Sequence, residues 1–342
     1  MSYQKKRMLS CIVVLLFVLL AYICRFIETD NELIQTLADQ CRTCTYLGIY
    51  CAWVIYLNKH VVQKKMRQYL TAIGCLMVCW FFLRTVKYHI LLDPLGGHIC
   101  WYLYYIPMIL VPTFGLSATL LMDGEEKKTT KWITGILLFF SVVLIVCVLT
   151  NDLHQQVFRF EGPVPYSDKN YGYGILFMLI QLWIIACLVI MEILLVKKSR
   201  IPDRKRFWLP VIPGMLLLGW NIANLLDLPF VKTFAGDMTA ICCLLMAAIF
   251  QGCILCGLIQ TNSRYFELFQ ATGGLDAEIT DDSFRRYYFS GEFPELSKDL
   301  RDSIIAKSSV QERGIRINHL PVKGGHLFWS EDISVLLDQY QD

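Results

Sequence analysis

The chain has 342 residues, 55% of them hydrophobic and only 18% charged, with a mean hydropathy of +0.46. Soluble domains lie nearer 45–50% apolar and about 25% charged, so the composition excludes a wholly soluble protein and requires membrane-embedded segments. The formal net charge of +3 is small and unevenly placed, with nothing that points to nucleic acid. All fourteen cysteines precede Thr261, most of them inside apolar runs where a thiol acts as a small hydrophobe, which argues against a disulfide framework.

Apolar runs of spanning length, roughly 17–25 residues, fall near 8–27, 44–58, 68–92, 98–122, 131–150, 172–196, 207–227 and 237–260. The first has a basic start and an apolar centre but no small-x-small cleavage site, so it reads as an uncleaved anchor rather than a signal peptide. The loops then sort by charge. Lys5, Lys6 and Arg7 precede the first run, Lys59, Lys64, Lys65 and Arg67 lie between the second and third, and Lys197, Lys198, Arg200, Arg204, Lys205 and Arg206 follow the sixth. Loops on the other face are poor in Lys and Arg, as in 29–43, where Asp30, Glu32 and Asp39 face Arg42. With eight helices every basic loop falls on one face, and both termini with it, which the positive-inside rule makes cytoplasmic.

The last apolar run turns polar with no proline after Met238 until Pro294. It predicts one continuous helix from Asp237 to Phe269 that leaves the bilayer and enters a soluble domain, with Gln260, Arg264, Phe266 and Phe269 on the relay. Beyond it, 275–279 and 284–290 read as strands and Pro294 opens an amphipathic helix with Leu296, Leu300, Ile304 and Ile305 on one face. Gly314–Val322, the Gly324–Gly325 pair and His326–Trp329 read as a hairpin, Pro321 confining its first strand to an edge or bulge. Ile333, Leu336, Leu337 and Tyr340 form a helical stripe toward the end of the chain. The expected architecture is a polytopic α-helical bundle of about eight spans followed by a small α/β cytoplasmic domain of about 75 residues. It divides into 1–43 (anchor helix and outer loop), 44–261 (membrane region) and 262–342 (linker helix and soluble domain).

Several residues stand out for binding. Charge within a span is costly, so Arg84 and Lys87 at the outer end of the third run predict an outer-half polar pocket, shared with Asp227 and Asp237 at similar depth; snorkelling to the headgroups is the plainer alternative. Asn151, Asp152 and His154 in the outer loop after the fifth run are contacts for a ligand or caps of the preceding helix, and His154 is a pH-titratable group. Cys41-x-x-Cys44 is one pair without a second, too little for zinc. Cys253-x-x-Cys256 is packing, and Glu192 is expected to pair with the basic loop beyond it. Trp101, Tyr102, Tyr104 and Tyr105 read first as an interfacial aromatic belt. No metal and no cofactor is indicated.

The landmarks Thr150-Asn151-x-x-His154, Pro210, Pro213, Ala223-Asn224-Leu225-Leu226 and Asp237-Met238-Thr239 come in the order of a known family. Residues 44–261 resemble the seven-helix N-terminal sensor region of bacterial membrane histidine kinases. The run Ser263–Phe269 with the strands after it, Gly324-Gly325-His326 and Trp329–Ile333 resembles the PAS-like domain that often follows. The resemblance implies a bacterial plasma-membrane sensor of the two-component type, relaying an unknown signal through its last membrane helix. It adds Asn224 to the ligand candidates. The chain departs from the family's kinases in stopping at Asp342, without a phospho-accepting histidine on a helix or a nucleotide box, so catalysis is not expected. Output is then expected through a separate histidine kinase or response-regulator-type protein; a homodimer is compatible. The alternative is a transporter or membrane-embedded enzyme, against which stands the lack of an inverted repeat and of a second broken helix pair.

Overall fold

A computed structural model describes residues 3–25, 27, 31–90, 93–123, 128–160, 171–198, 207–226, 228, 238–261, 276–289, 293, 295–312, 315–322 and 325–333. The chain divides into two compact units, Met1–Tyr56 with Tyr69–Leu258, and Leu57–Gln68 with Ile259–Asp342.

The first unit is helical. Its elements are α1 (Tyr3–Cys24), α2 (Glu32–His60), α3 (Lys64–Thr85), α4 (Pro94–Leu103), α5 (Tyr105–Leu120), α6 (Lys128–Leu149), the short α7 (Asn151–His154), α8 (Ile175–Lys198), α9 (Trp208–Leu225) and α10 (Met238–Cys256). The ends of α2 and α3 that face each other in sequence belong to the second unit. Among the described residues six segments are long and apolar enough to cross a membrane: Lys64–Tyr88, Leu95–Leu120, Lys128–Leu149, Ile175–Lys198, Trp208–Leu225 and Met238–Cys256. Of the eight expected, the first is an apolar stretch of only Ile12–Cys24. The second lies in α2, whose apolarity is diluted by Glu32, Asp39, Arg42 and Lys59.

α2 also corrects the expectation of an outer loop over 29–43. The Asn31 side-chain oxygen accepts from the backbone N–H groups of Leu33 (3.0 Å) and Ile34 (3.4 Å), so the helix starts at Glu32. Asp39 and Arg42 pair one turn apart along it, at 3.0 Å. Cys41 and Cys44 lie on the same helix as free, exposed thiols.

In the bundle α5 packs against α6 and α8, α8 against α9, and α9 against α10. A hydroxyl seam joins three of these helices. Thr113 Oγ1 donates to Ile109 O (2.8 Å) and lies 2.8 Å from Ser141 Oγ, which accepts from Trp183 Nε1 at 3.2 Å. Such small polar residues let membrane helices approach and bond where lipid offers no partner. Gly252 serves the same end on α10: a Cβ there would meet the Leu209 carbonyl and Pro210 N of α9 at 2.7 Å.

Glu192 on α8 departs from expectation. Its carboxylate is buried against Gly214 of α9, and neither oxygen has a hydrogen-bond partner among the described residues. The neighbouring cation is engaged elsewhere: Lys198 Nζ donates to Thr119 O (3.0 Å) and Leu120 O (2.9 Å) at the end of α5.

The expected continuous helix from Asp237 to Phe269 is interrupted. α10 ends at Cys256, Gly257 takes φ 88°, and its N–H bonds back to Ile254 O at 3.2 Å. Glycine adopts this left-handed conformation without a Cβ clash, which makes Gly257 a natural helix stop. Gln260 and Thr261 then pair with Val61 and Val62. Asp237, Arg264, Phe266 and Phe269 lie outside the described residues.

The second unit carries a five-stranded antiparallel sheet: β3 (Asp276–Asp281), β4 (Arg286–Phe289), β5 (Ser309–Glu312), β6 (Ile315–Val322) and β7 (Gly325–Asp332), in the order β4-β3-β7-β6-β5. α11 (Lys298–Lys307) lies between β4 and β5 in sequence. It starts four residues beyond Pro294, itself outside the described residues, because Ser297 is the cap: its Oγ accepts from Leu300 N at 3.3 Å. The anticipated stripe is buried as a core in which Phe293, Leu296, Ile304 and Phe328 meet Phe284, Leu300, Ile305, Val310 and Ile317. The hairpin forms with Val322 opposite Gly325. His319 N donates outward to Ser308 O (2.9 Å); Pro321, two residues on, points its missing donor the same way, past the end of β5. It is the edge position proline requires. β5 was not anticipated. Ile333 is buried, and Leu336, Leu337 and Tyr340 lie outside the described residues.

Glu278 on β3 is fully buried, with Oε1 2.7 Å from Arg286 Nε and 3.0 Å from Arg301 Nη2. Burial pushes its carboxyl above the ordinary value, while the two guanidiniums pull it back.

Candidate functional site

The functional candidates gather around α7. Asp93 caps α4 by accepting from Gly96 N at 2.7 Å, with Pro94 at the first helical position. From that start His98, Trp101 and Tyr102 fall on one helical face. After α6, Gln155 adopts a left-handed turn at φ 47° and sends the chain into β1 (Phe158–Phe160), which pairs antiparallel with β2 (Tyr171–Tyr173). Alternation buries Phe158 and Phe160 and leaves Arg159 exposed.

Asn151 is the hub. Its Nδ2 donates to Tyr102 Oη and Phe158 O, both at 3.0 Å, and its Oδ1 accepts from Val157 N (2.9 Å) and Phe158 N (3.0 Å). Two donor and two acceptor bonds exhaust a carboxamide. Asn151 is fully buried, so it builds the site and has no bond left for a ligand. The Tyr102 hydroxyl donates to Asp152 Oδ1 at 2.6 Å, and His98 Nε2 lies 3.1 Å from the same oxygen. His98 is 4% exposed whereas the Asp152 side chain is 50% exposed, so the carboxylate carries this network from the buried rings to the surface.

Around it lies a layer of rings. Trp101 is 4.4 Å from Phe158 and 4.8 Å from Tyr171, His98 is 4.4 Å from Tyr102, and Tyr173 stacks on Phe177 at 4.1 Å, all between centroids. The anticipated belt residues are therefore partly a packed cluster: Tyr102 and Tyr105 are buried. Lys87 joins its edge, with Nζ 5.8 Å from the Trp101 ring and 5.9 Å from Tyr104.

The other candidates distribute differently. Arg84 is half-buried at the end of α3, one turn before Lys87, where the helix widens into a π turn over Val86–Ile90. His154 is tied into its own turn: Nδ1 accepts from Gln156 N (3.0 Å) and Nε2 lies 3.0 Å from Cys147 O, which places the ring proton on Nε2. Asn224 on α9 donates to Met238 Sδ at 3.5 Å, away from the ring layer. Met238 also lines an open cleft with Trp80, Pro112, Asn221 and Met246 among others. Gln260 contributes its carbonyl, which accepts from Val62 N at 3.2 Å. Asp227 and Asp237 lie outside the described residues.

The sequence did not single out His98, and it offered Asp152 only as a ligand contact or helix cap, not as the partner of Tyr102 and His98. The i, i+4 spacing of His98 and Tyr102 was the available signal, but which acid they would meet depended on how α7 folds back. Among the described residues no group of three or more His, Cys, Asp or Glu could hold a metal ion.

A bundle with six helices long and apolar enough to cross a membrane, a ring-and-carboxylate cluster around α7 and a separate sheet unit defines a multi-pass membrane protein. The match to known families makes this specific: residues 41–257, more than half of the chain, fit the family described as the N-terminal 7TM region of histidine kinase, and the chain belongs to that family. No curated protein and no solved structure matches it.

Proposed function

We propose that this protein senses a condition at the outer end of its bundle and relays it to a PAS-like cytoplasmic unit, which acts on a separate histidine kinase or response-regulator-type protein. The observation that carries the reading is the Asp152 carboxylate. It is half exposed, yet bonded to Tyr102, which is joined in turn to the buried Asn151 hub. A change at its surface oxygen is thereby passed to α4, α7 and β1 at once.

Further features support the finer points. The matched seven-span region takes in the later part of α2 and all six apolar spans, so α2 supplies the seventh span and α1 an eighth. The basic residues of the α2–α3 turn favour the cytoplasmic side of a bacterial plasma membrane for that turn and for the sheet unit. An antiparallel sheet with its first and last strands adjacent at the centre, and a helix between its second and third strands, supports the PAS-like reading. His319 and His326 lie on neighbouring strands with Nε2 and Nδ1 2.9 Å apart, each occupied by the other; this favours output through another chain.

Two measurements test it. Asp152→Asn in the full-length protein in lipid nanodiscs is expected to change amide exchange in β3–β7 several-fold; an unchanged sheet unit, with the bundle folded, refutes the relay. Purified protein given radiolabelled ATP is expected to form no phospho-histidine, and label on His319 or His326 would overturn the separate output.

A further inference from the structure

The break at Gly257 leaves the relay without its obvious rod, and the second unit contains an alternative. Residues Leu57–Gln68, the end of α2, the turn and the start of α3, are part of the sheet unit itself. Val61 forms an antiparallel bridge with Thr261, and Val62 N donates to Gln260 O at 3.2 Å. Leu57, Val61, Val62 and Met66 are buried, as are Ile259 and Thr261 opposite. Arg67 spans the turn: Nη1 donates to Val61 O at 3.3 Å, and Nη2 lies 3.9 Å from Asp281 Oδ2 at the end of β3. Asp281 is itself held, its Oδ1 accepting from Ser283 N (2.9 Å) and Arg285 N (2.8 Å). With side chains 13% and 8% exposed, this pair is poorly screened by water.

Six apolar spans separate Val62 from Gln260, an even number, so the chain returns to the side it left, as the bridge requires. The bridge follows two helices at once. α2 enters the turn and α3 leaves it, so a shift of one against the other must move Gln260, Thr261 and, through Arg67, the end of β3. α10 cannot do this as a rigid body, because Gly257 and the extended Gln260–Thr261 lie between it and the sheet.

We infer that the α2–α3 turn is the coupling element of this sensor: a clasp, made by the Val61–Thr261 bridge and the Arg67–Asp281 pair, through which α2 and α3 drive the soluble unit. The inference rests on the sensor reading above and names its route. Arg67 and Val62 act as positioning residues; neither is assigned to a ligand.

The test is residue-resolved amide exchange on the full-length protein in nanodiscs. In the wild type the Val62 amide is expected to exchange at least about tenfold more slowly than an open amide; free exchange there overturns the clasp regardless of signalling. The second arm follows Asp152→Asn, read at β3, in three backgrounds: wild type, Val62→Pro, and Arg67→Met with Asp281→Asn. Asparagine at 281 keeps an oxygen to accept from Ser283 and Arg285, while the oxygen that faces Arg67 becomes an uncharged NH2 donor. Loss of the β3 response in both clasp variants, with β6–β7 protection intact as the folding control, is the expected result. A full β3 response in those variants overturns the clasp and leaves the sensor reading standing. Absence of any response in the wild-type background, with Val62 protected, overturns the sensor reading and with it the signalling role of the clasp.

Discussion

Asn151 shows how one carboxamide can organise a loop. Its four bonds satisfy two backbone donors, one backbone acceptor and the Tyr102 hydroxyl. Asn151→Ala removes the side-chain partner of three backbone groups, while the Tyr102 hydroxyl keeps Asp152, and at a net 0.5–1.5 kcal/mol per bond the expected loss is about 3 kcal/mol. Asn151→Asp keeps the acceptor for Val157 and Phe158 but buries a carboxylate oxygen against Phe158 O, and is expected to lose at least as much. Thermal unfolding of the purified protein measures both. In the sheet unit, His319 makes a pH prediction. Burial, then the charge of His326, holds its imidazole below the ordinary value of 6.5. The folded state therefore binds fewer protons than the unfolded one, so stability rises with pH across this window. The contribution is present above pH 6.5 and lost as pH falls through the depressed folded value. Unfolding of the full chain, followed by a fluorophore at exposed position 303 on α11, is expected to weaken on acidification below pH 6.5, and His319→Phe should remove that slope.

At the scale of elements, the bundle depends on close approach. Gly252 lets α10 lie against the Leu209–Pro210 backbone of α9, and those atoms cannot rotate aside as a flexible side chain would. Gly252→Ala is expected to destabilise the α9–α10 pair by about 1–3 kcal/mol through overpacking, read as a lower midpoint in detergent unfolding. An unchanged midpoint would mean that the two helices separate freely. The helix stop at Gly257 has a different origin. The sequence contained the glycine, yet a glycine inside an apolar helix is tolerable, so local propensity left the helix open to continue. What ends it is the pairing of Gln260–Thr261 with Val61–Val62, some 200 residues away in sequence. The start of α2 was missed for the opposite reason: Asp39 and Arg42 looked like loop residues, but the Asn31 cap and their i, i+3 pairing stabilise helix there.

For the whole molecule, the six-span return predicts sidedness. In intact cells a cysteine at Leu153, 87% exposed beside the outer cluster, is expected to react with an impermeant thiol reagent, and one at Lys64 in the α2–α3 turn is not; native cysteines are replaced first. Labelling of both, or of Lys64 alone, would invert or break the topology. What the sequence determined by itself was whatever depends on local, summed properties. Apolar length marks six of the spans because a bilayer has one thickness, and period-two and period-3.6 patterns mark the sheet and its amphipathic helix. Tertiary structure alone decided which partner each polar group found. Asp152 met Tyr102 and His98, Glu192 was buried against Gly214, and the α2–α3 turn joined the sheet unit. Those pairings are long-range, and hydrogen bonds and buried charges act over a few ångströms of space, a distance that composition and periodicity along the chain do not encode.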